Sequence, residues 1–168
     1  LNSKIEWKGF KVLKSDNTSH FGTINFESGD VTVKDGKLES GKFVADMNSL
    51  TSVDLKDDAE QLNKLNGHLK SGDFFEVEKF PTATYKITSV KKNTNKDYNF
   101  VVNGNLTVKG KTNVVSFPAK ITSANGVVTL ESDKFSFDRQ KFDVTYQSAM
   151  KDVMLKDDID MKIKVTVK

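Results

Sequence analysis

The stretch IDMKIKVTV, residues 159–167, carries the pattern that decides the fold. Apolar Ile, Met and Val side chains occupy every second position, and charged or hydroxyl side chains stand between them. Successive side chains of a β-strand point to opposite faces of a sheet, so a period of two indicates a strand with one buried face. The stretch therefore predicts a strand that separates an apolar interior from water.

The same alternation recurs through most of the upstream sequence. It is clearest over residues 24–26, 83–87, 98–108 and 115–121. Turn signals lie between such runs, at Asp35-Gly36, Lys109-Gly110 and Asn125-Gly126. Asp-Gly and Asn-Gly pairs tolerate the positive φ angles of tight hairpin turns. We therefore predict an all-β chain of about eight strands whose neighbours pair antiparallel.

One segment, residues 57–69, departs from the period of two. Its leucines fall three and four residues apart, at Leu62, Leu65 and Leu69. That spacing is typical of one face of a helix. Asp57 with Glu60 resembles a capping box at its start, and Gly67 or Gly72 offers an end. The sequence predicts one short helical segment inserted into the sheet.

The length of 168 residues suits a single domain, 1–168, with a sizeable core. About eight strands either close into a barrel or split into a sandwich, and a closed barrel of that size can hold one small ligand. The chain has 12 phenylalanines, three tyrosines and one tryptophan, which either line such a cavity or fill a plain core. Pro118 lies within a predicted strand and indicates an edge or a bulge, which would allow a homodimer.

Composition argues against several classes of protein. The sequence contains no cysteine, which excludes disulfides and thiolate metal sites. Lys and Arg total 26 against 23 Asp and Glu, with the two signs interleaved, and Arg139 is the sole arginine. Such a chain is not expected to bind nucleic acid. No apolar run approaches the roughly 20 residues of a membrane-spanning helix, so we expect no stable membrane insertion.

Several motifs in sequence order resemble the YceI-like family. They are SHFGTI at 19–24, DGKL at 35–38, GKFVADMNSL at 41–50, HLKSGDFFEVEKFP at 68–81, GNLTVKGKT at 104–112 followed by Phe117-Pro118, and FDRQKF at 137–142. The resemblance implies a lipocalin-like antiparallel barrel with an inserted helix. It also implies that the interior binds a polyisoprenoid, an isoprenoid quinone or another long-chain lipid, usually in the periplasm. The chain begins at Leu1 rather than Met, which suggests that an N-terminal segment was either processed off or trimmed away, and with the resemblance we expect a periplasmic or secreted protein.

The aromatic and aliphatic residues of the alternating strands are the candidates for the pocket wall: Trp7, Ile24, Phe26, Phe43, Tyr85, Phe100, Phe117, Phe137 and Phe142. Each methylene of a bound chain gains roughly 0.8 kcal/mol when it is buried, so apolar walls suffice for affinity. In the strand at 42–48 the alternation does not tell which face is inward. Each wall candidate is either a ligand contact or part of a closed core.

His20, His68 and Arg139 are candidate contacts to a polar head group. Either histidine is otherwise a hydrogen-bonded structural residue, and Arg139 is otherwise paired with a carboxylate such as Asp46 or Asp138. The pair Phe74-Phe75 either plugs one end of the barrel or forms a lid, and we favour the plug.

The sequence shows no catalytic constellation, metal-ligand spacing or cofactor motif, so we predict non-enzymatic binding or transport of a lipid without a cofactor. Two alternatives remain. One is a hydrolase or other enzyme that acts on a lipid head group with a histidine as general base. The other is a plain structural or interaction β-protein.

Overall fold

Antiparallel strands make up most of the structure, a computed structural model that describes residues 3–13, 16–149 and 153–168. The strands are β1 (Lys4–Leu13), β2 (Asp16–Lys34), β3 (Lys37–Ser52), β4 (Thr82–Lys92), β5 (Phe100–Val108), β6 (Lys111–Ala124), β7 (Val127–Ser132), β8 (Phe135–Asp138), β9 (Val153–Leu155) and β10 (Asp158–Val167). One helix, α1 (Ala59–Lys70), follows β3, and one 3-10 turn, Arg139–Phe142, follows β8.

The sheet closes on itself because β10 pairs with β1 as well as with β7. The ring runs β1-β2-β3-β4-β5-β6-β7-β10, which is eight strands. The prediction of an all-β antiparallel barrel of about eight strands is confirmed. The pairing of β1 with β10 removes the two outer edges through which an open sheet would associate, although the ladder between β6 and β7 covers only residues 119–124 of β6.

The two short strands are pieces of interrupted barrel strands. β8 follows β7 and pairs with the first half of β10, and β9 precedes β10 and pairs with the end of β1. The last two barrel positions are therefore each filled by two segments, with breaks at residues 133–134 and 156–157. The sequence analysis did not predict these breaks.

Three hairpin turns have the geometry that their sequences predict. Asp35-Gly36, Lys109-Gly110 and Asn125-Gly126 have φ angles of 54° and 76°, 52° and 74°, and 53° and 76°. Two consecutive positive φ angles are typical of the tight turns whose twist matches that of the flanking strands. These turns fix the registers of β2 with β3, β5 with β6, and β6 with β7.

Helix α1 lies close to its predicted position but begins with a different cap. The carboxylate of Asp58, not Asp57, accepts the backbone N–H of Gln61 at 3.1 Å. At the other end, the hydroxyl of Ser71 donates to the carbonyl of His68 at 2.6 Å, so the helix passes through Gly67 and ends one turn later. A serine thus supplies the stop that the sequence analysis assigned to glycine.

Pro118 does not lie on an edge strand, contrary to the expectation. It lies in β6, between β5 and β7, where it pairs with Val101. The ladder with β7 ends at Ala119, and the carbonyl of Pro118 accepts a last bond from the N–H of Asp133 at 2.9 Å. The missing proline N–H therefore faces the point where β7 has already ended, and a homodimer stays a prediction.

Candidate functional site

A cavity of about 390 Å³ occupies one half of the barrel. Its volume lies within the range of pockets that bind small molecules. Seven of the nine predicted wall residues line it: Trp7, Ile24, Phe26, Phe43, Tyr85, Phe117 and Phe137. In β3 the inward face carries Phe43, Ala45 and Met47, which resolves the ambiguity of that strand. That each wall residue contacts a ligand stays a prediction.

The cavity is blind at one end. Phe43, Tyr85 and Phe117 form its floor, and the Tyr85 and Phe117 rings lie 5.6 Å apart. Beyond the floor the barrel is filled by a packed cluster of small and branched side chains, among them Val102 and Ala119, which have no exposed surface. The interior is therefore half cavity and half closed core.

Phe100 and Phe142 do not line the cavity, and the sequence-based assignment of both is wrong. Phe100 starts β5, pairs with Ala119 and packs in the filled half below the floor. Phe142 ends the 3-10 turn and packs edge-on against Phe137 at 5.4 Å, almost fully buried. Alternation predicts the face of a strand but neither the height along the barrel axis nor the effect of a helical turn.

Tyr85 fixes the floor through its hydroxyl, which donates to the carbonyl of Val115 at 2.7 Å. A Cβ atom added at Gly104 would lie 2.6 Å from the Cζ of Tyr85, so the ring lies against this glycine. Burial raises the pKa of Tyr85 well above its ordinary value of 10.0. The floor is therefore uncharged and presents a phenolic oxygen that is already bonded.

The other end of the cavity is covered by the end of α1 and the loop after it. Leu69, Phe74 and Phe75 line the cavity here, and the N–H of Phe75 donates to the carbonyl of Leu69 at 3.0 Å. Both phenylalanines are half-buried against the core, as a plug would be. Tyr146, which the sequence analysis missed, completes this cover: its ring lies 5.2 Å from that of Phe74.

His68 belongs to the same cover. Its ring lies edge-on to Phe74 and Tyr146, at centroid distances of 4.9 and 4.8 Å. Its Nε2 lies 3.0 Å from a carboxylate oxygen of Asp73. His68 lines the cavity through its ring and is engaged by aromatic neighbours and a carboxylate.

His20 lies across from Gly9 in β1 and also lines the cavity. Its Nδ1 is 2.7 Å from Asp54, whose other carboxylate oxygen accepts from the hydroxyl of Ser52 at 2.6 Å and from the N–H of Phe21 at 3.0 Å. Burial raises the pKa of Asp54, but these hydrogen bonds and the charge of His20 outweigh burial, and the pKa lies below its ordinary value. An ionised Asp54 orients the imidazole with Nδ1–H as the donor.

Arg139 lines the cavity but is engaged by the protein itself. Its side chain is 97% buried and donates to three carbonyls: to Lys156 at 3.1 Å, to Val144 at 2.7 Å and to Leu155 at 3.4 Å. Asp157 lies 3.5 Å from Nη2 and is the ion-pair partner, in place of the expected Asp46 or Asp138. Burial lowers the pKa of Arg139, and the nearby carboxylates partly offset this. Arg139 therefore holds the break between β9 and β10.

The lining residues that the sequence analysis missed include Gly9, Lys11 and Lys156. Gly9 and Lys11 continue the inward alternation of Ile5 and Trp7 along β1. The alternation along β1 could have predicted that both residues face inward, but a lysine at an inward position does not fit an apolar pattern. Lys156 lies in the break before β10, where alternation carries no information.

Trp7 has one hydrogen-bonding group without a partner. It is nine-tenths buried, and its Nε1 is the one buried side-chain nitrogen or oxygen that lacks a partner among residues 3–13, 16–149 and 153–168. Within the same residues no three His, Asp or Glu side chains are grouped as metal ligands. The described helix is too short to span a bilayer.

The sequence and the fold both match known proteins. The model of the YceI-like domain matches residues 2–167. The UPF0312 protein of Shewanella baltica is 32% identical over 150 residues, which cover 89% of this chain and 71% of the relative. Protein YceI of Escherichia coli is 28% identical over 159 residues, which cover 95% of this chain and 72% of the relative.

Two solved structures share the fold across almost the full length of both chains. BcnA of Burkholderia cenocepacia superposes with a TM-score of 0.73 at 22% identity, over 99% of this chain and 96% of BcnA. A polyisoprenoid binding domain from Saccharophagus degradans superposes with a TM-score of 0.61 at 9% identity, over 98% and 95% of the two chains. Since the family model spans nearly the whole sequence, this chain belongs to the YceI-like family.

Proposed function

We propose that this barrel binds or transports a long apolar amphiphile in its cavity without converting it chemically. The amphiphile is a polyisoprenoid, an isoprenoid quinone or a similar lipid. The observation that carries the proposal is the blind cavity of about 390 Å³ whose wall is mainly aromatic and aliphatic. Burial of a chain there gains roughly 0.8 kcal/mol per methylene, which few polar contacts could match. The fold shared with a polyisoprenoid binding domain supports the same proposal.

Extraction of the freshly purified protein tests this proposal. Organic solvent releases any bound lipid for mass spectrometry, and lipid-stripped protein is then offered isoprenoids and fatty acids. We expect a lipid in the extract, or uptake by the stripped protein. Absence of both would refute lipid binding and favour the plain structural β-protein.

A matched pair of substitutions tests the site. Ala83→Asp places a carboxylate on the cavity wall, and Val114→Asp places the same group on the outer face, where Val114 is 74% exposed. Because an unpaired charge is costly among apolar groups, we expect uptake to be lost in the first variant and kept in the second. Thermal unfolding of both variants shows whether Ala83→Asp retains the fold. If it does not, Ala83→Leu, which fills the cavity without a charge, replaces it in the uptake assay.

A second candidate function rests on the His20–Asp54 pair. A carboxylate that orients an imidazole is the arrangement of a general base, and His20 lines the cavity. The enzyme alternative predicts turnover of lipid esters that is lost in His20→Gln. The binding proposal predicts no turnover by either protein and unchanged uptake of hydrocarbon chains by His20→Gln.

We also propose that the protein acts in the periplasm or after secretion, as its family resemblance suggests. Fractionation of the native cells, with antibody detection of the protein, tests this placement. Recovery in the cytosolic fraction alone would refute it.

A further inference from the structure

The charged groups that line the cavity are all of one sign. Lys11, Arg139 and Lys156 line it together with His20 and His68, while no Asp or Glu among the described residues is part of its wall. A mainly apolar wall whose charged side chains are all cationic favours a ligand with an anionic head group, because opposite charges attract across a mouth of reduced dielectric.

Two of these cations are available to a ligand. Arg139 is engaged by carbonyls and by Asp157, as described above. Lys11 and Lys156 are exposed, and neither nitrogen lies within 4.0 Å of a carboxylate oxygen in the part of the chain that the structure describes. The Nζ of Lys156 lies 5.4 Å from the centre of the Phe10 ring, which also lines the cavity. Ammonium groups therefore stand beside apolar wall at the mouth.

The volume of the cavity limits the length of chain that it holds. The floor at Phe43, Tyr85 and Phe117 blocks passage into the filled half of the barrel. A tail longer than the distance from the mouth to this floor would leave its excess outside the cavity.

Gly9 contributes part of this space. It lies on the inward face of β1, and a Cβ atom added there would meet no atom within 4 Å. Glycine inside a strand weakens the strand, and it often marks a place where a ligand approaches the backbone closely. Gly9 thus provides a site where a side chain can enter the cavity without a clash.

We infer that the cavity selects a single-chain amphiphile with an anionic head group and a tail whose length is limited by the floor. The tail end rests on the floor, and the carboxylate or phosphate lies between Lys11 and Lys156. This inference rests on the proposed function and narrows it to a class of ligand. A fatty acid and a short prenyl phosphate share the chemistry, so both are used as probes.

Fluorescence of Trp7, the single tryptophan, reports binding because its ring lines the cavity. The probes are the saturated fatty acids from octanoic to octadecanoic acid, the alcohols of the same lengths, farnesyl phosphate and octaprenyl phosphate, all below their micelle concentrations. We expect affinity to rise about fourfold per methylene until the tail reaches the floor and then to level off. Continued tightening through octadecanoic acid, or tighter binding of octaprenyl than of farnesyl phosphate, would overturn the length limit.

Gly9→Leu should move the plateau to acids about four carbons shorter, since its side chain fills that much of the cavity, while Gly9→Ala should move it by about one. An unchanged plateau in Gly9→Leu would show that the chain does not lie beside β1. Both substitutions remove a glycine that weakens the strand, and a Cβ atom fits at this position, so we expect both variants to fold.

The double variant Lys11→Gln, Lys156→Gln tests the head group, with Lys164→Gln on the outer face as the control. We expect the double variant to weaken binding of the acids about two- to fivefold per lysine, to leave the alcohols unchanged, and to abolish the advantage of acid over alcohol. Equal affinities of acid and alcohol for the unmodified protein would refute the anionic head group. Binding of no chain of any length would instead refute the proposed function.

Discussion

Replacement of Arg139 by methionine should destabilise the barrel more than any other single charge removal that we consider. The guanidinium is almost fully buried and holds three carbonyls, of which that of Val144 is the closest at 2.7 Å. Methionine has a similar length but no donor, so the carbonyls of Val144 and Lys156 lose the guanidinium as their donor. The Leu155 carbonyl still accepts from Gln147 at 3.0 Å, and Asp157 still accepts from Gln140 at 3.2 Å.

The size of the effect follows from which groups are left unpaired. Asp157 is about half exposed, so loss of its ion pair costs little because water replaces the guanidinium. A buried carbonyl left without a donor costs about 1–3 kcal/mol, and the carbonyls of Val144 and Lys156 are affected. We therefore expect Arg139→Met to lower the free energy of unfolding by about 3–5 kcal/mol, in the range for breaking a buried charge network. Arg139→Lys keeps the charge but cannot reach three acceptors at once, and should lose less.

Urea unfolding followed by circular dichroism measures this loss. Lys141→Met is the matched control, because Lys141 lies in the same 3-10 turn with an exposed side chain, and it should change stability by about 0.5 kcal/mol or less. Hydrogen exchange adds a local readout: the N–H of Lys156, bonded to the carbonyl of Phe10 at 3.1 Å, should exchange faster in Arg139→Met. A loss below about 1 kcal/mol, or an equal loss in Lys141→Met, would refute the assignment of Arg139 as the support of this break.

Three further substitutions have defined expectations. Folding lowers the pKa of Asp54, so the ionised carboxylate stabilises the native state at pH values above its ordinary pKa of 3.8, and this stability is lost as pH falls through the folded pKa. The melting temperature of Asp54→Asn should therefore decline less steeply on acidification than that of the unmodified protein. Gly67→Ala should stabilise the protein by about 0.5–1 kcal/mol in thermal unfolding, because Gly67 lies within α1 and an added Cβ meets nothing within 4 Å. Gly104→Ala should lower the melting temperature and alter the near-ultraviolet dichroism of Tyr85, whose ring occupies the place of the new methyl group.

The sequence predicted the strands well because a half-buried strand needs only a local alternation of side chains. Ile159 to Val167 shows this, as do the Asp-Gly and Asn-Gly turns whose positive φ angles follow from the residues themselves. The breaks near residues 133–134 and 156–157 could not be predicted in the same way. The second is held by Arg139, a residue distant in sequence whose bonds to carbonyls at Leu155 and Lys156 appear only in the folded chain.

The sequence predicted only part of the cavity wall, because an alternating pattern is local and does not give the height of a residue along the barrel axis. Phe100 and Phe117 both face inward on neighbouring strands, yet only Phe117 borders the cavity. Which of them does so depends on the stagger between strands, which sets height along the barrel axis, and no local pattern reports that stagger. Lys11 was missed for the opposite reason, since an inward lysine breaks the apolar pattern that identifies an inward face.

The two ends of the barrel differ in how firmly pairing and packing hold them, and this difference indicates where a ligand enters the cavity. The floor belongs to strands paired on both sides, and entry there would require opening the ring and its packed half. Helix α1 has no fully buried residue and is held to β3 by Asn66, which accepts from the N–H of Ser52 at 2.9 Å and donates to the hydroxyl of Thr51 at 3.1 Å. Segments with few buried apolar contacts open at lower free energy than paired strands. Movement of α1 and the loop with Phe74 therefore costs least, and the same end carries the cations Lys11 and Lys156, so a tail would enter first and leave its head group at the mouth.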